Sequence, residues 1–322
     1  GAGGSLTYSG LNALTLNSGS GNDTVNVTAT GATTTSLNTS GGNDALTITS
    51  AGTLTMNGGS GADTYTVNFG ALSGIATQTD SGVAGTTDAL IANGTGGVDA
   101  FALTGTQLIR GAETLNYASL ETITVNALAG NDTFTLNGNG AAAALNGGDG
   151  ADTFTITSTT AGSAVTLNGE NQADTYTVSF GSLGATLTMG DTGASGTDAA
   201  TVTATTSADT LTLASTSITR SGETVNYTGL ETLALNADNG NDAITVNGAN
   251  AAATVDGGAD SDTFSVNLGS LAGGLTLTDP SGTDTLTVIG TTGADTINLS
   301  STQVTRAGDT VNYGAAFEQA NA

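Results

Sequence analysis

A fixed spacing of Asn and Asp recurs along this chain and constrains its fold more than any other feature. An Asn ends a run of alternating apolar residues, and an Asp follows six positions later. Apolar residues then stand two and four positions after the Asp, as in LNGGDGADTFTI at residues 145–156. The copies pair Asn17 with Asp23, Asn38 with Asp44, Asn57 with Asp63, Asn126 with Asp132, Asn146 with Asp152, Asn168 with Asp174 and Asn236 with Asp242, and one more places Asp256 before Asp262. Self-similarity at a fixed period indicates a repeat architecture.

The segment after each Asp alternates apolar and polar residues, which predicts a short β-strand. Neighbouring copies lie about 20 residues apart, a step that suits one coil of a parallel β-solenoid. One coil cannot bury its apolar residues alone, whereas stacked coils share a continuous core. We therefore predict an all-β fold over residues 1–322: one continuous parallel β-solenoid, β-helix-like or β-roll-like, right-handed by default, of roughly 15 coils. Asp would then stack on Asp along one edge.

A longer repeat of about 110 residues is superimposed on the short one. Its marker is an Arg, an acidic residue three positions later and a Tyr seven positions later, as in RGAETLNY from Arg110 and RSGETVNY from Arg220. The third copy, RAGDTVNY, starts at Arg306, and Tyr8 stands in the same phase. We predict long repeats at 8–116, 117–226 and 227–312, the last one coil shorter, and the start of a further repeat at 313–322.

The charge of the chain limits its partners. The sequence has 3 Arg, no Lys and no His against 28 carboxylates, which gives a formal net charge of −25. Nucleic-acid binding is excluded because phosphate contacts need Lys and Arg. No apolar run approaches the ~18 residues of a membrane helix, so no membrane insertion is expected. Multivalent cations are the expected partners, and Ca²⁺ is the hard cation that carboxylate and carbonyl oxygens bind.

Stacked carboxylates repel one another by roughly 3 kcal/mol per neighbouring pair at an effective dielectric of 20. They should therefore have raised pKa values or bind cations. The alternative is that each Asp only caps a turn through bonds to nearby backbone, which requires no metal.

The segments GGDGADTFT (147–155) and GGSGADTYT (58–66) resemble the GGxGxDxUx nonapeptide of RTX-type calcium-binding β-rolls of bacterial extracellular surfaces. The resemblance implies that glycine-rich turns and their Asp hold Ca²⁺ between coils. It assigns the ligand role to Asp63 and Asp152, and by phase to Asp23, Asp44, Asp132, Asp174, Asp242 and Asp262. This chain has about one such turn per coil, whereas a β-roll has two.

Two further patterns have structural explanations. The recurrent Arg is expected to form an ion pair, Arg110 with Glu113 or Glu121, rather than a ligand site. Asp pairs eleven residues apart, such as Asp198 and Asp209, would lie on opposite edges of a coil, where turn chemistry is the simpler reading and a second ion column the alternative.

Catalysis has little support, because the sequence offers no His, Lys or Cys as base or nucleophile. We therefore expect no catalytic residues and no enzyme activity. A unique site should break the repeat, and the breaks are changes of turn length around 79–88 and 278–284.

The predicted function is that of an extracellular structural protein: a Ca²⁺-stabilised, acidic solenoid subunit that stacks head to tail with itself into filaments or a surface layer. An absent or already removed signal peptide would account for the start of the sequence. The first alternative is a rod segment of a giant adhesin-like cell-surface protein. The second is a carbohydrate-active β-helix enzyme, in which carboxylate pairs would do acid–base chemistry.

Overall fold

The structure is a computed structural model that describes residues 10–30, 34–82, 86–193, 195–314 and the backbone of 319–321. Within these residues the only regular elements are strands, and their stacking is that of a parallel β-solenoid. Contacts divide the chain into two bodies. The first body holds residues up to 134 together with 138–147, and the second holds 135–137 together with 148 onward. Tyr8, which marks the predicted start of the first long repeat, lies outside the described residues.

The strands of the first body form two sheets and alternate between them, except that β9, β10 and β11 are consecutive in one sheet and pair antiparallel. They are β1 (Ala13–Asn17), β2 (Thr24–Val27), β3 (Thr34–Asn38), β4 (Ala45–Ile48), β5 (Thr53–Asn57), β6 (Thr64–Asn68), β7 (Ile75–Thr79), β8 (Ala89–Asn93), β9 (Ala100–Thr104), β10 (Gln107–Arg110), β11 (Glu113–Asn116) and β12 (Thr122–Ala129), followed at the boundary by β13 (Thr133–Asn137) and β14 (Ala142–Asp149). One sheet runs β1-β3-β5-β7-β11-β10-β9, and the other runs β2-β4-β6-β8-β12.

The second body repeats this arrangement. Its strands are β15 (Thr153–Ser158), β16 (Val165–Asn171), β17 (Thr175–Ser179), β18 (Leu187–Gly190), β19 (Ala199–Thr203), β20 (Thr210–Ala214), β21 (Ser217–Arg220), β22 (Glu223–Thr228), β23 (Thr232–Asn236), β24 (Ala243–Val246), β25 (Ala252–Asp256), β26 (Thr263–Asn267), β27 (Leu275–Thr278), β28 (Thr285–Ile289), β29 (Asn298–Leu299), β30 (Gln303–Arg306), β31 (Asp309–Tyr313) and β32 (Gln319–Asn321). The first sheet runs β15-β17-β19-β23-β25-β27-β31-β30-β29. The second runs β16-β18-β22-β21-β20-β24-β26-β28-β32.

Strand alternation places the core where the sequence predicts it. In β4, Leu46 and Ile48 have no exposed surface, while Ala45 and Thr47 are partly exposed. The same alternation recurs in register from coil to coil, so equal positions stack, as in the parallel rings of Phe154 and Tyr176, whose centroids are 5.0 Å apart. Aromatic pairs of this kind add to the energy of apolar burial.

The coil count differs from the prediction. The chain forms about 12 turns, not 15. Each long repeat contains an antiparallel hairpin, β10–β11, β21–β22 or β30–β31, that stays on one sheet instead of passing to the other. Those residues lengthen one sheet by two strands without completing a coil. The prediction that 1–322 is one continuous solenoid stays a prediction, as do its long-repeat boundaries.

Candidate metal centres along the aspartate ladders

The recurrent Asp residues form hydrogen-bonded ladders along the coil corners. The backbone N–H of Asp23 donates to Oδ1 of Asp44 at 2.7 Å, and that of Asp44 donates to Oδ1 of Asp63 at 2.7 Å. In the second body the bonds from Asp152 to Asp174 and from Asp242 to Asp262 are both 2.7 Å long. Each carboxylate thus caps the start of a strand one coil earlier in the sequence. This is a cap between coils, where the metal-free alternative expected one within a turn.

Two ladders within the described residues end at a Glu that follows a hairpin, and a new ladder begins on the other sheet. Asp88 donates its N–H to Glu121 at 2.7 Å, and Asp198 does the same to Glu231. Asp209 precedes β20, which follows the hairpin β21–β22 in the strand order of the opposite sheet. It starts a ladder there and donates its N–H to Asp242 at 2.6 Å. The prediction of a single file along one edge is therefore wrong. Asp pairs such as Asp198 and Asp209 do lie on opposite edges, but both are members of the ladders themselves.

Only one carboxylate oxygen of each ladder residue is used by the ladder. The second oxygen, Oδ2, is buried and meets no hydrogen-bond donor among the described residues at Asp23, Asp44, Asp63, Asp174, Asp242 and Asp262. The remaining predicted ligands, Asp132 and Asp152, belong to the same ladders: Asp132 accepts the N–H of Asp99, and Asp152 donates to Asp174. All eight predicted metal ligands thus have ladder positions, and their metal binding stays a prediction.

A glycine makes room for the second oxygen. A Cβ on Gly58 would lie 2.2 Å from Oδ2 of Asp63, and one on Gly169 would lie 2.0 Å from Oδ2 of Asp174. Those separations are far below van der Waals contact. At these two positions the side chain of any other residue would collide with the carboxylate, so the carboxylate explains the glycine there. Other copies have Ser18, Thr39, Ala127 or Ala237 after the repeated Asn.

Burial disfavours the charged form of these carboxylates. Desolvation, with repulsion from Asp44, Asp80 and Asp88, raises the pKa of Asp63 from 3.8 to about 6 even though the N–H of Asp44 lowers it. Desolvation likewise raises the pKa of Asp174 to about 7 and that of Asp242 to about 6. A buried carboxylate in this state binds either a proton or a cation.

Three loops bring an additional Asp to a ladder. Asp80 joins Asp63 and Asp88, and Asp279 joins Asp262 and Asp284. In each trio, one oxygen per carboxylate lies within 4.8 Å of the others. At the equivalent loop in the middle of the chain, Asp191 repels both Asp174 and Asp198. Sequence reasoning noted two of these loops as irregular in length but did not assign Asp80, Asp191 or Asp279. The signal was an extra Asp at the start of each loop.

The acidic residues of the hairpins have a different environment. The carboxylate of Glu113 accepts the N–H groups of Gly70 and Leu72 at 2.7–3.0 Å and bonds Nη1 of Arg110 at 2.8 Å. Arg110 also pairs with buried Asp99. Glu223 with Arg220, and Asp309 with Arg306, repeat this arrangement. We call each such group a clip. The predicted ion pair with Glu113 is confirmed, whereas Glu121 ends a ladder and the partner Asp99 was missed.

The available ligands are all oxygens. Carboxylates at this density, without His or Cys, suit hard cations such as Ca²⁺ rather than Zn²⁺ or copper. Among the described residues no helix is long and apolar enough to cross a membrane. In comparisons with known proteins, no family model and no curated protein matches the sequence. The buried acidic clusters on a solenoid are compatible with a β-roll type of repeat fold.

Proposed function

We propose that this protein is an extracellular structural protein whose solenoid is stabilised by Ca²⁺ bound along the aspartate ladders. The observation that carries the proposal is a set of buried Oδ2 atoms that meet no donor in the described part of the chain, six of them on predicted ligands. A cation that bridges successive carboxylates would remove both their repulsion and their desolvation cost. The likeness of the turns to RTX-type nonapeptides supports Ca²⁺ as that cation.

Several features support a structural role rather than catalysis. The carboxylates recur in equivalent positions coil after coil, whereas an active site needs a unique constellation. The sequence contains no His, Lys or Cys to act as base or nucleophile. Extracellular modules commonly bind Ca²⁺ at roughly 10⁻⁴–10⁻³ M, a concentration found outside cells, which favours a secreted or surface location.

One sheet edge supports head-to-tail assembly of copies. Leu211 and Leu213 of β20 are fully buried because β24 pairs alongside. Their equivalents near β29, Ile297 and Leu299, are 40% and 59% exposed, and no described strand covers that side. Strand addition by a second copy would bury both residues. Open-ended stacking of this kind produces filaments or layers.

The test is thermal unfolding and electron microscopy of the purified chain with Ca²⁺, with Mg²⁺ and with a chelator. We expect the chelator to lower the Tm by more than 10 °C, because several sites release together, and to disperse filaments. Mg²⁺ should not restore them, since it keeps its own waters and demands octahedral geometry. An unchanged Tm in chelator would refute the calcium part, and monomers under all conditions would refute the assembly part.

The rod segment of a giant adhesin-like surface protein stays the alternative, because the hairpin at β29–β31 repeats the interior ones and would occur equally within a longer rod. Intact-mass measurement on native material separates the two. A free subunit of 30.9 kDa supports the assembling protein, and a much larger covalent chain supports the rod segment.

A further inference from the structure

The loop that begins at Asp279 differs from its two equivalents in a way that the repeat does not require. We propose that Asp262, Asp279 and Asp284, with Asp256 beside them, form a dedicated Ca²⁺ site that binds more tightly than any other position of the ladders. The proposal rests on the proposed function at one residue, because Asp262 belongs both to this site and to a ladder that is proposed to bind Ca²⁺.

The first difference is the loss of a hydroxyl. At the first loop, the hydroxyl of Tyr65 accepts the N–H of Gly58 at 2.6 Å and donates to Oδ2 of Asp80 at 3.0 Å. Phe264 stands at the equivalent position of the Asp279 loop. Oδ2 of Asp279 is buried. Because the hydroxyl is missing, this oxygen has no hydrogen-bond donor within the part of the chain that the structure describes.

The second difference is the loss of two donors at a proline. At the first loop, the N–H and the hydroxyl of Ser81 both donate to the side-chain oxygen of Asn57, at 3.2 and 3.1 Å. At the middle loop Thr192 donates to Asn168 at 3.1 Å. The third loop has Pro280, the single proline of the sequence, which offers neither an N–H nor a hydroxyl.

The same position also gains a charge. The repeated Asn is replaced by Asp256, whose Oδ1 is buried without a donor among the described residues. If stability alone determined the residue at this position, the loss of the donors should favour a less polar residue than Asn. An unsatisfied buried carboxylate is costly. Here the amide has instead become a carboxylate, which points to a positively charged ligand.

The geometry converges on one point. A Cβ on Gly257 would lie 2.4 Å from Oδ2 of Asp279 and 2.7 Å from Oδ2 of Asp262, so both unpaired oxygens lie against this glycine. One oxygen each of Asp262, Asp279 and Asp284 falls within 4.8 Å of the others, and all three residues are at most 4% exposed. An open pocket of about 580 Å³ is lined by Asp256, Asp279 and Pro280, so one carboxylate of the cluster and Asp256 border space that solvent reaches.

The donor set selects the ion. Up to four carboxylates and no nitrogen or sulfur ligand suit Ca²⁺, which accepts six to eight oxygens in flexible geometry. Zn²⁺ and copper prefer imidazole or thiolate. Mg²⁺ would have to keep most of its water shell, because it demands near-ideal octahedral coordination.

The decisive experiment is a calorimetric titration of the metal-free full chain with CaCl₂ at pH 7.5. The wild type should show one site tighter than the rest. The double variant F264Y/P280S restores the donors of the first loop and should weaken that site by about tenfold or more, since each hydrogen bond to a charged group competes with the ion. The same variant should raise the Tm of the metal-free protein, whereas damage to the fold would lower it.

Two controls make the result specific. Asp279→Asn should abolish the tight site and leave the weaker ones, while the matched variant Y65F/S81P removes the donors at the first loop and should leave the tight site unchanged. Equal affinities in wild type and F264Y/P280S would overturn the proposal. It would also be overturned if no calcium heat appears and infrared spectra show a protonated Asp279, because the cluster would then share a proton.

The two proposals can fail separately. If a chelator lowers the Tm of wild type and of D279N alike but no tight site is found, the ladders bind calcium and the dedicated site does not exist. If one tight site is present but the chelator leaves the Tm unchanged, the dedicated site stands without calcium stabilisation of the ladders.

Discussion

Ladder carboxylates and clip carboxylates are both largely buried, yet their surroundings differ. Glu223 accepts the N–H groups of Gly181 and Leu183 and bonds Arg220. Asp174 accepts one N–H, and its second oxygen has no hydrogen-bond donor among the described residues. The chain therefore supplies several donors and a counter-charge to Glu223 in the clip, and the clip arginines also pair with the ladder residues Asp99 and Asp209. Ladder residues away from a clip, such as Asp174, receive only the single N–H among the described residues. Burial alone does not mark a cation site, whereas burial without donors does.

The largest expected difference between ladders and clips is the effect of pH on stability, because several ladder carboxylates titrate together. The folded-state pKa values of Asp63 and Asp242 are raised to about 6, and those of Asp174 and Asp279 to about 7, mainly by burial. A folded-state pKa above the unfolded value of 3.8 means that the folded protein binds more protons between these limits. The stability gained by protonation is full below pH 4 and is lost as pH rises toward 7.

This predicts that the metal-free chain melts at a lower temperature at pH 7 than at pH 5, which calorimetric scans in chelator can measure. Ca²⁺ should narrow or reverse the difference, because it replaces the protons. A Tm that rises from pH 5 to pH 7 without metal would show that the ladders carry no desolvation cost.

The next largest effect concerns the clip. Arg220→Met leaves Asp209 and Glu223 buried without their counter-charge, and we expect a loss of about 3–5 kcal/mol in the free energy of unfolding. Urea titration with and without Ca²⁺ measures it, and the loss should be equal in both. Arg220→Lys keeps the charge but not the forked geometry and should lie between. If Ca²⁺ restored the stability of the Met variant, the clip carboxylates would bind the ion as the ladder carboxylates are proposed to do.

A matched pair of isosteric changes sharpens the contrast. Glu223→Gln sets an amide NH₂ against backbone donors and should cost about 2 kcal/mol with or without metal. Asp174→Asn keeps the oxygen that accepts the N–H of Asp152 and removes an unpaired charge, so in chelator it should cost less than about 0.5 kcal/mol. With Ca²⁺ present, however, D174N should be clearly destabilised relative to wild type. The same cost for D174N in both conditions would argue that Asp174 is only a cap.

The smallest response to pH and Ca²⁺ is expected at a neutral ladder, which is formed by Asn side chains. Asn93 accepts a side-chain bond from Asn126 at 2.9 Å and donates one to Asn68 at 2.8 Å. Asn93→Ala removes both, and we expect a loss of about 1–2 kcal/mol that neither pH nor Ca²⁺ changes. A pH-dependent loss would mean that the amide and acid ladders are coupled.

The sequence predicts the stacked coils because two periods agree: alternation by two sets the buried face, and the fixed Asn–Asp offset sets the register. It also places each of the eight predicted Asp on a ladder. The hairpins were missed because segments such as QLIR and ETLN read equally well as strands of a coil. Their signal was local, since Ser221 and Gly222 both have positive φ in the two-residue turn between β21 and β22.

Other features depend on contacts that no local pattern encodes. Glu113 binds backbone groups of Gly70 and Leu72 about 40 residues earlier, because β11 pairs with β7 across the residues inserted between them. The change of sheet at each hairpin follows from the same insertion. The substitutions Asp256, Phe264 and Pro280 are visible in the sequence, but only the structure shows that they meet at one point.

The hairpins also bear on how such a chain could grow during evolution. In the second body one insertion, β20–β22, lies in one sheet and the other, β29–β31, lies in the opposite sheet, and each sheet counts nine strands. Duplication of a single long repeat would leave one sheet with two strands more than the other. Duplication of two would keep the two sheets equal, so we expect viable length variants of this protein to differ by even numbers of long repeats.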